Sequence, residues 1–368
     1  MARLGDLVEQ IRGVSYKPED VYDNLNENSV ILLRANNIKD GQLVFDDVIY
    51  VDRNRVHNNQ MLKAGDILIC TSSGSKELVG KAAYVQKDLP MTFGAFCKVV
   101  RPQGLCPEYL GHFFNSPNYR KRVSDLSAGA NINNIRNEHI DELKIFVPAV
   151  DRQHYVIAVL DKISVLISLR RKQLAKLNEL VKARFVEMFG DPIKNNLELP
   201  TKPLGEICLL KAGATTPADV IFDYDAEHTI PCYGGNGIRG YVKESTQYGI
   251  YPIIGRQGAL CGNVQLAQGG FHATEHAVLV TPRQKMNIFW IFYLLKYMDL
   301  YRYHTGAAQP GLAVKTLNTV EVPIADLALQ DEFAILIEKI NRHKLTIQQS
   351  LDKLEVLKKS LMQEYFGG

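Results

Sequence analysis

Residues 235–240, Gly235-Asn236-Gly237-Ile238-Arg239-Gly240, spell a literal G-x-G-x-x-G. With that spacing, a strand–turn–helix can hold a dinucleotide pyrophosphate. Here Tyr241-Val242-Lys243 follows, which reads as strand, so no helix N-terminus is offered to a phosphate. The reading that fits is a glycine-rich strand–turn–strand whose backbone can approach another surface closely. Residues 74–81 hint at a P-loop, but Gly74 and Gly80 are one residue too far apart and Ala82 stands where Ser or Thr should follow the lysine. Cys232, Cys261, His272 and His276 are metal-ligand types, yet their surroundings are strand-like and the first half has no matching set.

A third chemistry needs no fixed spacing. Arg, Lys, Asn, Gln and small hydroxyls on exposed loops read base edges and hold phosphates. The second half carries Asn236, Arg239, Arg256, Gln257, His272, Thr274, His276 and Gln309 in glycine-rich stretches. The first half carries Arg34, Asn36, Asn37, Ser72, Ser73, Ser75, Lys76, Asn131, Asn133, Asn134 and Arg136. The same types are ordinary turn formers, and residue type alone leaves both readings open. Tyr119-Arg120-Lys121-Arg122 and Tyr301-Arg302-Tyr303-His304 hold matching places in the two halves. Basic side chains among tyrosines suit phosphate positioning, and equally suit a solvated helix end.

These loops need elements to carry them. Residues 151–191 contain no proline, and their only glycine is Gly190, next to the end. Ile163, Ile167, Leu174, Leu177 and Val181 follow the alternating step of a heptad seam. A helix of that length would reach about 60 Å. It has a twin in residues 330–367. A constant shift of 177 residues carries Gln153 onto Gln330, Ile163 onto Ile340, Leu174 onto Leu351 and Phe189-Gly190 onto Phe366-Gly367. Ile163, Leu174, Leu177 and Val181 are expected to pack against Ile340, Ile347, Leu351 and Leu354 in an antiparallel coiled coil. Arg170 and Lys344 sit on the seam and either reach its edge or fix its register.

The segments before the two helices repeat an order as well. Strands are expected over 29–33, 43–51, 67–70, 81–85, 93–100 and 143–147, with helices over 108–116 and 119–127. In the second half, 249–254 answers 65–69, the loop 255–258 answers 72–75, 271–280 answers 93–100, and an aromatic helix over 287–298 answers 109–114. Gly306-Ala307-Ala308-Gln309 answers Gly129-Ala130-Asn131-Ile132, and Pro323 answers Pro148. The linker 192–203 is polar and has three prolines.

The 368 residues exceed one ordinary core, which fits several domains. A net charge of +3, from 43 basic and 40 acidic residues, does not by itself announce a nucleic-acid binder. The six cysteines, Cys70, Cys97, Cys106, Cys208, Cys232 and Cys261, include no C-x-x-C pair and are expected to be reduced thiols in a cytoplasmic protein. No apolar run approaches the 18 residues of a membrane span.

The stretches 233–241, 253–258 and 306–309, and Val322-Pro323 leading into a long helix, resemble the DNA-specificity subunit of Type I restriction-modification systems. Looser versions stand at 32–38, 65–68 and 127–131, so the likeness runs the length of the chain. The resemblance implies an α+β chain of two target-recognition domains with twisted mixed sheets, each followed by a long helix, the helices forming an antiparallel coiled coil. The domains would be 1–150 and 192–327, the spacer helices 151–191 and 328–368. Each domain would read half of a bipartite asymmetric site on double-stranded DNA, and the helices would set the unread spacer. Two methyltransferase subunits would be held, restriction subunits could join, and no catalytic site would lie in this chain. No Asn/Asp-Pro-Pro-Tyr/Phe methyltransferase motif occurs in it. S-adenosylmethionine, and ATP where restriction subunits join, would sit on the partners, leaving this chain without a cofactor or metal. Base or phosphate contact is then expected from Arg34, Asn36, Asn37, Ser73, Ser75, Lys76, Arg120, Lys121, Asn131, Asn133 and Arg136 in the first domain. In the second it is expected from Asn236, Arg239, Arg256, Gln257, His272, Thr274, Arg302 and Gln309. The apolar helix ends, Phe185, Phe189, Met362 and Phe366, exceed what one partner helix needs and are expected to dock the methyltransferase subunits. The competing readings are a coiled-coil scaffold that never reads DNA, and a nucleotide-dependent enzyme using residues 235–240.

Overall fold

The computed structural model describes residues 1–75, 77–128, 134–306 and 310–367. The chain divides into two compact units. One comprises Met1–Arg171 with Gln349–Gly368, the other Lys172–Gln348. Each therefore contains a globular head, part of one long helix and part of the other.

The head of the first unit is built on two four-stranded sheets. One runs Met91–Phe93, Ser29–Leu33, Ile49–Asp52, Val21–Tyr22, with the Met91–Phe93 and Ser29–Leu33 pair parallel. The other runs Val8–Arg12, Cys97–Pro102, Ile67–Cys70, Ala82–Tyr84, all antiparallel. Ile67-Leu68-Ile69-Cys70 is buried on both faces, as an unbroken apolar run in a central strand should be. Helix Pro107–Phe114, with proline at its first position, lays Tyr109, Leu110, Phe113 and Phe114 on this core.

The head of the second unit holds one six-stranded mixed sheet. Its order is Cys208–Ala212, Ala277–Pro282, Gln247–Gly255, Val264–Ala273, Ile230–Gly234, Gly237–Val242. Helix Ile288–Tyr297 is capped by Asn287, whose side chain accepts from Phe289 N at 3.0 Å. It buries Trp290, Ile291, Phe292 and Leu294 over the sheet.

Three expected strands are interrupted. The run expected over 43–51 is paired only at Gln42–Leu43 and Ile49–Asp52. Those expected over 93–100 and 271–280 each break at a tight turn, residues 94–96 and 274–276. Cys97 N–H closes the first on Gly94 O at 2.8 Å, and Ala277 N–H the second on Thr274 O at 3.0 Å.

Both long helices have 40 residues, Val150–Phe189 and Leu327–Phe366. In the first unit Arg171 donates to Glu355 at 2.8 Å while Arg152 stacks over Tyr365 at 5.6 Å, so the two helices run antiparallel there. In the second unit Lys344 donates to Asn178 at 2.7 Å and Phe185 meets Phe333 at 5.5 Å, again antiparallel. Ile163, Val181, Ile340 and Leu351 are buried; Leu174, Leu177, Ile347 and Leu354 are half-buried along the same seam. Burial, then Lys296, depresses the Lys344 ammonium from its ordinary value, as expected of a lysine held on a seam by an amide.

One joint is repeated in both units. Gln153 is buried near the start of the first long helix. Its amide donates to Pro148 O at 2.9 Å and accepts from Cys106 N, the cap of helix Pro107–Phe114, at 3.1 Å. Gln330, its counterpart, donates to Ala325 O at 2.8 Å and accepts from Asn287 N, the cap of helix Ile288–Tyr297, at 2.9 Å. Each long helix is thus tied to its own head by a buried amide that both donates and accepts.

The expectation that Phe185, Phe189, Met362 and Phe366 are surplus apolar surface for a partner is corrected here. All four are buried in this chain. Phe185 and Phe189 pack on Phe333, Tyr297 and Trp290 in the second unit. Phe366 packs on Tyr109 and Phe113 in the first, with its carbonyl taken by Asn118 at 2.6 Å. A helix end needs these aromatics to seat on a head, which the seam pattern alone does not reveal.

Candidate nucleic-acid interface

In the second unit, three loops form a shallow concavity of about 440 Å³. The first is the turn between strands Ile230–Gly234 and Gly237–Val242, where the ladder shifts register at Cys232/Tyr233 and Gly237 takes φ +95°. The second follows strand Gln247–Gly255, and the third is the turn 274–276. A Cβ on Gly255 would lie 1.7 Å from Gly235 O, so only glycine lets the first two loops meet main chain to main chain. Asn236, Arg239, Gln257 and His276 line the hollow.

Its electrostatics are fixed by few groups. Asn263 donates to Asn236 Oδ1 at 2.6 Å, orienting that amide. Arg256 Nε and His276 Nδ1 are buried without a partner among the described residues. His276 Nε2 lies 3.1 Å from Glu275 Oε1. Burial raises the Glu275 carboxyl, but backbone N–H groups of Glu275 and Thr216, then His276 and Arg239, outweigh that and hold it below its ordinary value. The hollow thus offers amide and guanidinium donors beside the ionised Glu275 carboxylate.

The first unit builds the same frame. Thr71 and Ser72 N–H donate to Phe96 O at 2.9 and 3.1 Å, as Arg256 N–H donates to His276 O at 3.0 Å. Ile135 N–H donates to Thr71 O at 2.7 Å, as Leu312 N–H donates to Arg256 O at 2.8 Å. Gly80 N–H donates to Cys70 O, as Gly262 N–H donates to Gly255 O. Cys70 therefore matches Gly255, two residues earlier than the sequence comparison of Ser72–Ser75 with 255–258 has it. By the same bonds Thr71 matches Arg256, Ser72 matches Gln257 and Phe96 matches His276.

The Type I restriction modification DNA specificity domain matches residues 1–179 and again 196–358. The chain belongs to that family. Among its relatives, the Type I restriction enzyme EcoprrI specificity subunit of Escherichia coli is 42% identical over 168 residues, 45% of this chain and 41% of that protein. The StySPI specificity subunit of Salmonella potsdam is 37% identical over 182 residues, 49% of this chain and 39% of that one. The EcoKI specificity subunit of Escherichia coli K12 is 34% identical over 198 residues, 54% and 43% of the two lengths. The chain thus spans about two fifths of the length of these relatives. The crystal structure of a Type I restriction-modification system S subunit from M. genitalium has the same fold. Its TM-score is 0.61 at 16% identity, covering 99% of this chain and 95% of that one. A structure described as showing complex assembly and conformational transition of the type I R-M system gives 0.57 at 16% identity, covering 99% and 96%.

In this specificity-family chain the residues singled out from sequence separate into three groups. Asn236, Arg239 and Gln257 meet in the hollow, with Arg256 behind it. Ser73, Ser75, Arg136 and Arg302 lie on other loops and helix ends and Lys121 within helix Pro117–Ala128, all partly or fully exposed, and Arg302 is folded back on Tyr303. Lys76, Asn131, Asn133 and Gln309 lie outside the described residues.

The others are engaged within the fold, which for the buried Asn37 and Thr274 corrects their assignment as DNA contacts. Asn37 is buried and donates to Val44 O and Asp47 O, stapling a turn. Thr274 is fully buried in its turn. His272 is bracketed by Thr216 and Thr246 at 2.8 and 3.1 Å, and burial lowers its affinity for a proton. Arg120 donates to Val79 O and Glu77 O, bracing the loop before it. Arg34 and Asn36 both bind Asp47, at 2.8 and 2.5 Å, which offsets the charge Arg34 would bring to a phosphate and occupies the Asn36 amide. Sequence reasoning missed Asp47 and Phe96. The only signal for Phe96 is its place beside Gly94 and Ala95, three residues that otherwise look like the middle of a strand.

Among the described residues no helix is long and apolar enough to cross a membrane, and no group of three or more His, Cys, Asp or Glu is placed to hold a metal.

Proposed function

We propose that this chain is the non-catalytic DNA-reading subunit of a Type I restriction-modification complex, each head reading one part of a bipartite target. The observation that supports this best is the pair of heads with one loop frame and unlike side chains at its rim. Arg256, Gln257 and His276 stand in one head where Thr71, Ser72 and Phe96 stand in the other. A scaffold without a DNA partner has no need to keep a loop frame twice while changing what it displays. Bipartite asymmetric recognition needs that combination. Two methyltransferase subunits are the proposed partners, with restriction subunits joining them, and S-adenosylmethionine and ATP bound on those partners. The subunit types named for the relatives support this reading.

The test is co-expression with the methyltransferase subunit encoded alongside, followed by sequencing that detects methyladenine across the host genome. The expected result is one bipartite motif with a fixed unread spacer. Substitution at the Arg239–Gln257 hollow should alter one part of the motif and leave the other intact. No methylation, with stable capture of an unrelated partner, would return the chain to the scaffold reading.

A further inference from the structure

Phe96 is 71% exposed on a turn that is otherwise tightly held. Its carbonyl accepts from Thr71 N, Ser72 N and Thr71 Oγ1, the last at 3.2 Å. The turn backs onto main chain, since a Cβ on Gly13 would lie 2.1 Å from Gly94 O. The ring is thus presented by a fixed backbone with its carbonyl fully engaged. Its counterpart in the other head, His276, lines the hollow with Arg239 and Gln257. Next to Phe96, Ser72 pairs main chain to main chain with Asn134, which is exposed.

A phenyl ring at such a place cannot read donors or acceptors. Among groups on a base-pair edge in the major groove, the thymine C5-methyl is the apolar one. We infer that Phe96 is a specificity-determining residue that reads the C5-methyl group of one thymine in the target of the first head. This rests on the DNA-reading function proposed above. The alternative role for an exposed phenyl, a wedge between base steps, would unstack the duplex. The polar neighbours at the same rim favour an edge contact, because their own partners would be the flanking base edges and phosphates.

The experiment uses the complex of this chain with its methyltransferase subunit and duplexes carrying the motif established from the methylome. Each thymine is replaced in turn by deoxyuridine, which removes only the methyl group. The parent complex should lose about fourfold in methylation rate at limiting DNA for one of these duplexes, the worth of one buried methyl. Phe96→Ala should lose a similar factor on the natural duplex and show no further loss on that deoxyuridine duplex. Phe96→Leu should restore much of the sensitivity. The inference is overturned if no deoxyuridine substitution matters to the parent, or if the sensitive one matters equally to Phe96→Ala. It is also overturned if Phe96→Ala abolishes duplex unstacking, read by 2-aminopurine fluorescence, while every deoxyuridine duplex behaves normally. A complex that methylates no defined motif defeats the DNA-reading function itself, a different result from a motif read without regard to methyl groups.

Discussion

The loop after strand Ile67–Cys70 and the loop after strand Gln247–Gly255 are pinned by matching backbone hydrogen bonds, yet they display different chemistry. The second head closes its frame with glycine against glycine and opens a hollow lined by Asn236, Arg239, Gln257 and His276. The first head offers Ser72 with an exposed phenyl ring, and Thr71 is buried beneath them. Main-chain bonds carry most of the frame in both, so exposed rim side chains such as Gln257 and Phe96 can differ without undoing it. That is the division a reader of variable targets needs: a backbone that holds its shape whatever the rim presents.

If the frame and its joints are shared, matched substitutions should produce matched losses. The largest should come from the aromatic seats. Phe189→Ala and Phe366→Ala each empty a buried aromatic cluster and should cost about 3–5 kcal/mol, read as a lower urea midpoint. A loss confined to one of them would break the comparison. Next come the paired amides. Gln153→Leu and Gln330→Leu each leave an N–H and a carbonyl at the joint without their partner, and each should cost about 1–3 kcal/mol in the same assay.

If the rims differ, matched rim substitutions should not match. Arg239→Ala should weaken discrimination in one part of the motif by about 1–3 kcal/mol, measured as competition between cognate and singly mismatched duplexes. Ser72→Ala should change far less. The smallest effect is on pH dependence. In the second head His228, through its side chain and backbone N–H, and then Glu227 N–H hold the Asp225 carboxyl down to about 2. A depressed carboxyl contributes stability that is complete above its ordinary value of 3.8 and is lost as pH falls toward 2. Asp225→Asn removes that contribution, so it should lower stability slightly at neutral pH and flatten the acid limb of the stability curve over that window.

The long helices were legible because a heptad seam is a repeating signal, and because Gln153 and Gln330 fall on the same shift as the apolar residues. The tight turns at 94–96 and 274–276 were not legible. Apolar residues flank them on both sides, and nothing in a run such as Thr92-Phe93-Gly94-Ala95-Phe96-Cys97 marks the chain reversal. The site was half legible for a similar reason. Asn37 and Thr274 have the residue types of base readers, and only burial shows that their hydrogen-bonding groups are spent on the fold. Phe189 and Phe366 carry the opposite lesson. Their apolar character was plain, but sequence does not say whether the surface they cover belongs to the same chain.

The glutamine joint has a consequence for how such a chain can change. The hydrogen bonds of Gln153 and Gln330 go to main-chain atoms, a carbonyl and the amide at a helix cap. Neither contact depends on which side chain the head carries there; the capping residue is cysteine in one case and asparagine in the other. The seat works like a standard fitting. At this joint a replacement head needs only to begin a helix at that spot, while the aromatic seat of the other helix end still asks for apolar side chains.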